Sequence, residues 1–353
     1  MSKIASGLNR RNLLLSSSIV TAGLMLAGMA AAAPAVAPSA VIAAQAGQAT
    51  VRAVEFKNND ITMSGNVYYP KGFSEGQKYP AIVVVHPGGG VKEQAAGLYA
   101  QKLAEQGFVT LAFDASHQGA SGGMPRFIDD PMKRVVDFYS AVDYLTSLPY
   151  VDAQNIGALG VCAGSGVTVK ASMTDRRIKA IATVSAVDVG AATRKGWDGK
   201  QPESSIIETL DAVAKQRSAE AAGAAPVYVN YVPKVGDKTA PRDLQEAADY
   251  YLTKRGSYPT STNQMLMTSV ATLASFTGFE GADTFITQPL LVVAGSEAGS
   301  LWHSQELNAE AASKDKELFI IPGATHMDLY DGQGATTAAN KVGPFFKAKL
   351  AGN

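Results

Sequence analysis

The feature that most constrains the fold is an apolar run that ends in closely spaced glycines around a single thiol. Residues 155–166 read Asn-Ile-Gly-Ala-Leu-Gly-Val-Cys-Ala-Gly-Ser-Gly, so Cys162 has a glycine two residues before it and another two residues after it. This G-x-C-x-G pattern is typical of a strained strand-to-helix turn that raises a nucleophile above a sheet. Small residues are needed because neighbouring backbone passes too close for side chains. Taken alone, the pattern also fits a buried cysteine in a glycine-rich turn.

Length and charge narrow the class of protein. A chain of 353 residues can bury a large core, and an α/β domain of ~250 residues with an insertion fits this length. The 31 basic residues balance the 31 acidic ones. The sequence has no basic stripe of the kind that would indicate nucleic-acid binding. We therefore expect a small-molecule partner and no nucleic-acid partner. Because the chain has one cysteine, it can form no internal disulfide.

Residues 1–46 read as an export signal. Basic residues precede an apolar run at 13–33, and Arg10-Arg11 followed by Asn-Leu-Leu resembles a twin-arginine signal. An ordinary secretory (Sec) signal is the alternative. We expect cleavage after Ala46 or near Ala33, and an exported, periplasmic product. The apolar run is short and rich in Ala and Gly, which disfavours a retained membrane anchor. We therefore expect no stable membrane insertion after cleavage.

After residue 46 the hydrophobic pattern alternates between strands and helices. This alternation predicts a mostly parallel central sheet flanked by helices, opened by an antiparallel hairpin. Predicted strands lie at 51–57, 61–69, 81–85, 108–113, 178–185, 289–294 and 316–321, with another before Cys162; predicted helices lie at 93–106 and 130–148, from Trp302, and at the end of the chain. The alternation stops at 191–285, which we interpret as an inserted, mostly helical lid between core segments 47–190 and 286–353.

Polar, glycine-rich loops follow several predicted strands. His86-Pro87-Gly88-Gly89-Gly90 fits a loop whose backbone N–H groups stabilise an oxyanion, although a flexible turn is the alternative. The loop at 114–123 follows another strand, at the sheet edge that ligands favour. We expect His86, Asp114 and His117 to line the pocket, with Asp114 as a structural anchor and His117 as a wall residue.

The order of the motifs along the chain is more specific than any one of them. Cys162 is followed by a loop with Glu297 after a later strand, and by His326 after the last strand. Nucleophile, acid and base occur in this order in the α/β-hydrolase fold. Many such hydrolases place Asp three residues beyond the glycine that ends the acid strand, but here that position is Ala298. Glu297 is therefore the first candidate for the acid, Asp188 is the second, and a cysteine–histidine pair without an acid is the third possibility.

With these motifs together, the chain resembles the cysteine-nucleophile α/β-hydrolases of the dienelactone hydrolase-like superfamily, and most closely a bacterial subgroup with a helical lid. The resemblance covers nearly all of the chain after the leader. Its motifs stand at 84–90, 113–123, 160–164, 173–180 and 322–330. They identify the subgroup but no substrate. Fungal polyketide transferases have a similar core, so acyl transfer remains open.

The resemblance and the motifs together predict an enzyme that cleaves ester, lactone or thioester bonds of a small acyl substrate. Cys162 would be the nucleophile and His326 the base, with N–H groups of Ala163 and of Gly88 or Gly89 holding the oxyanion. The alternatives are an acyltransferase and a ligand-binding protein without catalysis. No cofactor is expected, and no metal site, because the four histidines show no ligand spacing.

Overall fold

The computed structural model describes residues 49–350, so the expected export signal lies outside the described residues. These residues contain ten strands: β1 (Thr50–Asn58), β2 (Ile61–Tyr69), β3 (Tyr79–Val85), β4 (Val109–Phe113), β5 (Val151–Val161), β6 (Ile178–Val184), β7 (Tyr228–Val229), β8 (Met265–Leu266), β9 (Leu290–Gly295) and β10 (Lys316–Ile321). Eight form one sheet in the order β1-β2-β4-β3-β5-β6-β9-β10. The pairs β1–β2 and β2–β4 are antiparallel, and all other neighbours are parallel. The fold is the expected α/β-hydrolase type.

The described residues also contain ten α-helices: α1 (Ala95–Ala104), α2 (Pro131–Ser147), α3 (Ala163–Thr174), α4 (Val189–Lys195), α5 (Ile207–Ala221), α6 (Arg242–Leu252), α7 (Ser269–Ser275), α8 (Ala282–Phe285), α9 (Leu301–Glu310) and α10 (Gly332–Leu350). Helix α2 begins as its sequence predicts, because the Asp130 carboxylate accepts the N–H groups of Met132 and Lys133. Helix α1 is shorter than the predicted 93–106. Within residues 49–350, no helix is both long and apolar enough to cross a bilayer.

The parallel strands are buried on both faces, as their β-branched sequences predict. In β3, Ile82 and Val84 pack on the side of α1 and α10, whereas Val83 and Val85 pack on the side of α2 and α3. This division follows from the alternation of side chains along a strand. Helices cover both faces of the parallel sheet. The loops that follow its strands therefore lie together at the carboxyl ends of these strands.

Five α-helices, α4 to α8, lie in the segment between β6 and β9. The segment differs from the predicted, mostly helical lid in two details. Strands β7 and β8 pair there as a small antiparallel sheet that was not predicted. In addition, Phe276, Phe279 and Ile286 join the hydrophobic core beside α2 and α3. The end of the insertion therefore packs as core, while the preceding residues cover the loops at the carboxyl edge of the sheet. In the structure, the name lid is kept for residues 197–263.

Candidate active site

Cys162 occupies the turn between β5 and α3 in a strained conformation. Its backbone dihedrals are φ 52° and ψ −123°, a region that non-glycine residues rarely adopt and that costs about 1–3 kcal/mol. The carbonyl of Cys162 accepts the N–H groups of Ser165 (2.8 Å) and Val187 (3.1 Å), which fix this geometry. A Cβ atom on Gly160 would overlap the backbone of Gly164 and Ser165, which explains the glycine two residues before the thiol. The turn predicted from the sequence is therefore present, and the backbone of β5 and the backbone of α3 approach each other closely there, as expected.

Three donors surround the thiol of the half-buried Cys162. Burial raises the pKa of the Cys162 thiol above its ordinary value, while hydrogen bonds that the Tyr330 hydroxyl and the N–H groups of Ala163 and Gly88 can donate to the thiolate oppose that rise. The two backbone N–H groups come from the start of α3 and from the loop after β3. They therefore converge on Sγ of Cys162.

The loop after β3 is held in place by a buried, neutral histidine. Nε2 of His86 accepts the N–H of Ala115 (3.1 Å), so Nδ1 carries the proton and donates it to the Pro87 carbonyl (2.7 Å). Burial, with the nearby Arg134 guanidinium, lowers the pKa of His86 to about 3. The neutral His86 ring has a structural role, because its two hydrogen bonds connect the loop after β3 to the loop after β4.

Gly89 adopts φ +68° and lies beneath the ring of Tyr231 from the lid. A Cβ atom at this position would come within 2.7 Å of that ring. The Tyr231 hydroxyl donates to the Asp129 carboxylate (2.9 Å), and the Ser261 hydroxyl donates to the Gly89 carbonyl (3.0 Å). The lid therefore contacts the glycine loop directly and limits the space above it.

His326 lies buried after β10, with both ring nitrogens occupied. Its Nδ1 is 2.6 Å from the Ser300 hydroxyl, and its Nε2 is 3.3 Å from the Tyr330 hydroxyl. The edge of the Trp197 ring packs against the imidazole with centroids 4.9 Å apart. Burial lowers the pKa of His326 to about 4, and the charge of Asp243 opposes this shift. His326 is therefore neutral at pH 7.

Tyr330 links the cysteine to the histidine. Its hydroxyl opposes the rise in the pKa of the Cys162 thiol and also lies 3.3 Å from His326 Nε2. Within residues 49–350, no direct hydrogen bond joins Cys162 to His326. The rings of Tyr250 and Tyr251 pack edge-on against Tyr330, with centroids 5.3 Å and 6.3 Å away. Tyr330 ends the motif at 322–330, but the motif alone predicted no role for it.

Neither carboxylate expected to orient the histidine contacts it in the structure. Glu297 points to solvent and pairs with Arg242 (3.1 Å). Asp188 caps α4 by accepting the N–H groups of Gly190 and Ala191, and its other oxygen accepts the N–H of Gly278 (2.8 Å). The physical reason is local: the loop after β9 turns the side chain of Glu297 outwards, and three backbone donors already satisfy Asp188. The geometry therefore supports neither residue as the direct partner of His326.

Asp114 and His117 anchor loops. The Asp114 carboxylate accepts the ammonium and the backbone N–H of Lys92 and the N–H of Ala120 (2.8–2.9 Å), in agreement with the expected anchoring role. His117 has φ +67°, and its Nδ1 contacts the Pro125 carbonyl (3.0 Å). Together with Asn59 and Lys133, His117 lines a cavity of about 330 Å³ beside the β1–β2 turn. Among the described residues, no hydrogen bond connects either side chain to Cys162 or His326.

Several side chains around the histidine were not predicted from the sequence. They are Ser300, Tyr330, Trp197 and Asp243. Two of these were within reach of sequence analysis: Tyr330 follows His326 by four residues, and Ser300 ends the polar loop after β9. Trp197 and Asp243 belong to the lid, where the pattern carries no signal of which aromatic or acidic residue faces the core.

A family profile and two relatives of known sequence show which proteins this chain is similar to. The Dienelactone hydrolase family profile matches residues 63–222. The uncharacterized protein YcjY of Escherichia coli is 43% identical over 301 residues, which cover 84% of this chain and 98% of YcjY. The thiohydrolase aneE of Aspergillus aculeatus is 30% identical over 188 residues, covering 53% of this chain and 57% of aneE.

The fold also matches solved structures. The crystal structure of the hypothetical protein PA2218 from Pseudomonas aeruginosa aligns with a TM-score of 0.79 and 34% identity. The alignment covers 88% of this chain and 99% of PA2218. The similarity therefore extends over most of the chain and is not confined to the strand-to-helix turn that carries Cys162.

Proposed function

Because the chain belongs to the dienelactone hydrolase family of α/β hydrolases, we propose that it cleaves an acyl ester, lactone or thioester through a Cys162 acyl-enzyme. The observation that carries this proposal is the convergence on one sulfur of two backbone N–H donors and of a tyrosine that contacts a neutral histidine. Such a set can generate a nucleophile and stabilise the oxyanion it produces. The thiohydrolase relative favours a thioester among the three bond types.

The protonation states indicate general-base catalysis. A thiol pKa that is raised and an imidazole pKa of about 4 make the resting pair neutral. As Sγ attacks the carbonyl carbon, the thiol proton passes to the Tyr330 oxygen while the Tyr330 proton passes to Nε2 of His326. The tetrahedral oxyanion accepts the N–H groups of Ala163 and Gly88. His326 then protonates the departing alcohol or thiol, and Cys162 stays acylated.

In the second half of the reaction, water hydrolyses the acyl-enzyme. His326, now neutral again, removes a proton from a water molecule that attacks the thioester carbon of the acyl-enzyme. Collapse of the second tetrahedral intermediate releases the acid and returns the proton to Cys162. If an alcohol or amine replaces this water, the same acyl-enzyme gives acyl transfer, which is the alternative reaction.

The lid suggests the character of the acyl group. Tyr231 covers the glycine loop, and Trp197, Tyr250 and Tyr251 surround the His326–Tyr330 side of the site. Aromatic walls favour an apolar or planar group and exclude water from the reacting atoms. We therefore propose an apolar or aromatic acyl substrate over a charged one.

A substrate screen tests the proposal. Purified protein is incubated with p-nitrophenyl esters of increasing acyl length, lactones and acyl thioesters, with and without an added alcohol. We expect turnover that disappears in Cys162→Ala and His326→Ala and after iodoacetamide treatment of the wild type. Full turnover by Cys162→Ala would contradict the proposal. Tight ligand binding without turnover would favour the binding protein, and ester products formed only with alcohol would favour the transferase.

Export is a separate proposal that rests on the sequence of residues 1–46. Fractionation of cells that express the full chain should find a shortened protein in the periplasm. Replacing Arg10 and Arg11 by Lys should retain the full-length form inside the cell if the twin-arginine interpretation is correct. Unchanged export would favour the ordinary secretory signal, and retention of both forms in the cytoplasm would contradict export.

A further inference from the structure

We propose that Asp243, supplied by the lid, is the carboxylate that positions His326 and balances the charge it acquires, in place of an acid from the loop after β9. This inference rests on the proposed Cys162–His326 chemistry and assigns a residue that the sequence motifs do not indicate. It follows from three features of the structure: how Asp243 is buried, what it contacts, and what surrounds it.

Asp243 is buried at the start of α6, with 3% of its surface exposed. Its Oδ2 accepts the N–H of Gly299 (2.7 Å) and Nε1–H of Trp197 (2.8 Å). Its Oδ1 lies 3.7 Å from Nε of Arg242, beyond hydrogen-bond distance. A buried carboxylate is costly unless it is paired, so a carboxylate held by two neutral donors and one distant cation is well suited to a charge that appears during the reaction.

Both residues that donate hydrogen bonds to Asp243 lie next to groups that contact His326, or contact it themselves. Gly299 immediately precedes Ser300, whose hydroxyl contacts Nδ1 of the imidazole at 2.6 Å. The ring of Trp197 packs edge-on against the imidazole. Asp243 therefore fixes the loop that carries the hydrogen-bond partner of His326 and the aromatic ring beside it. It acts through these groups, which makes it a positioning residue.

The other charged groups near His326 have partners elsewhere. On α6, Glu246 accepts the Thr325 hydroxyl (2.7 Å) and Arg242 pairs with Glu297. Asp328 accepts the N–H of Thr325 (2.9 Å), and Asp331 pairs with Arg255. His303 on α9 is buried, which lowers its pKa to about 3 and leaves it neutral. Among residues 49–350, Asp243 is the only charged residue whose field raises the pKa of His326 against the effect of burial.

The origin of Asp243 has a consequence for catalysis. Because α6 belongs to the lid, the position of His326 depends on how the lid packs on the core. A change at Asp243 that leaves this packing intact should therefore alter turnover more than substrate binding.

Two isosteric substitutions on the same helix test the assignment. Asp243→Asn removes the buried charge, and Asp249→Asn removes an exposed one that pairs with Arg255. We expect Asp243→Asn to lower kcat by about 10- to 100-fold, because acid–base catalysis as a whole contributes about 10²- to 10⁴-fold. KM should change little, and the acid limb of kcat/KM should move to lower pH. Asp249→Asn should alter neither quantity.

Three further variants and one spectroscopic measurement complete the test. Asp243→Glu should retain more activity than Asp243→Asn, and Trp197→Phe, which keeps a ring but removes one donor, should also lower kcat. A kcat loss in Asp243→Asn with an unmoved acid limb would overturn the proposal, and so would a limb that moves in Glu297→Gln instead. If the wild type turns over no acyl substrate, the proposed function fails, while an NMR titration of the His326 imidazole still shows whether Asp243→Asn lowers its pKa.

Discussion

The Ser300 hydroxyl lies 2.6 Å from Nδ1 of His326, so a serine is the direct partner of the imidazole nitrogen that faces away from Tyr330. Nε2 faces the Tyr330 hydroxyl. The Ser300 hydroxyl can accept a hydrogen bond from Nδ1–H, and in that tautomer Nε2 is free to receive a proton. Ser300 therefore accommodates the tautomer that the proposed reaction requires.

Ser300→Ala should therefore impair catalysis more than stability. Loss of the hydroxyl leaves Nδ1 without a buried partner and allows the ring to rotate or change tautomer, so we expect kcat to fall ~10-fold or more. The unmet N–H should cost about 1–3 kcal/mol of unfolding free energy. Steady-state kinetics and thermal unfolding measure the two effects.

Ser296→Ala is the matched control, because Ser296 lies on the same loop, is exposed, and accepts a hydrogen bond from the backbone N–H of Gly323. It should leave kcat unchanged. Equal kcat values for the two variants would contradict the role of Ser300.

Tyr330→Phe should slow acylation while preserving packing. The phenyl ring keeps the contacts with Tyr250 and Tyr251, but the hydroxyl that contacts both Cys162 and His326 is lost. If the proton passes through this hydroxyl, pre-steady-state acylation should fall by ~10²-fold. Tyr228→Phe, a change at an exposed lid residue, serves as the control. An acylation rate equal to that of the wild type would show that the thiol proton reaches His326 directly.

The pH dependence of the rate follows from the two shifted groups. His326 must be neutral to act as a base, and burial lowers its pKa to about 4. Activity should be retained from pH 7 down to about 5 and be lost as the pH falls through about 4. Circular dichroism at each pH separates loss of the base from acid unfolding. An acid limb near the ordinary histidine pKa of about 6.5 would contradict the buried, neutral state.

The same shifts predict how the free thiol reacts. Because burial raises the pKa of Cys162, the rate of alkylation by iodoacetamide should keep increasing with pH beyond the value of an ordinary thiol, about 8.5. A rate that is already maximal at pH 7 would indicate a preformed thiolate instead of general-base activation.

Much of the fold and the main parts of the candidate site were predictable, because each rests on a local pattern. The strand ending at Val85 is a run of β-branched residues, and the close approaches at Gly160 leave a clear signature in the sequence. The orientation of His326 could not be predicted, since it depends on contacts between residues far apart in the chain. Ser300, Trp197 and Asp243 meet the imidazole only after the lid has packed on the core, and Glu297 has the right residue type but points outward.

Gly89→Ala should weaken both the lid contact and the oxyanion loop. The residue has φ +68°, where a side chain costs about 1–2 kcal/mol, and the new Cβ would lie 2.7 Å from the Tyr231 ring. Displacement of the loop moves the neighbouring N–H of Gly88 away from the reacting carbonyl. Since loss of one oxyanion donor costs ~10²- to 10³-fold in rate, we expect kcat to fall at least ~10-fold.

Gly76→Ala provides the comparison for this variant, because the atom nearest its added Cβ among the described residues is the Ser74 hydroxyl oxygen, at 3.9 Å. It should leave kcat and the midpoint of thermal unfolding nearly unchanged. A Gly89→Ala enzyme with full activity would show that the loop after β3 has no part in stabilising the oxyanion.

The most direct measurement of the central claim is the intact mass of the protein quenched within the first turnover of an activated acyl thioester. We predict a mass increase of one acyl group, located by peptide mapping on Cys162 and absent from Cys162→Ala. The adduct should accumulate further when water attack is slowed in His326→Ala after acylation by a highly reactive ester. Turnover with no adduct on Cys162, or an adduct on another residue, would contradict the proposed acyl-enzyme.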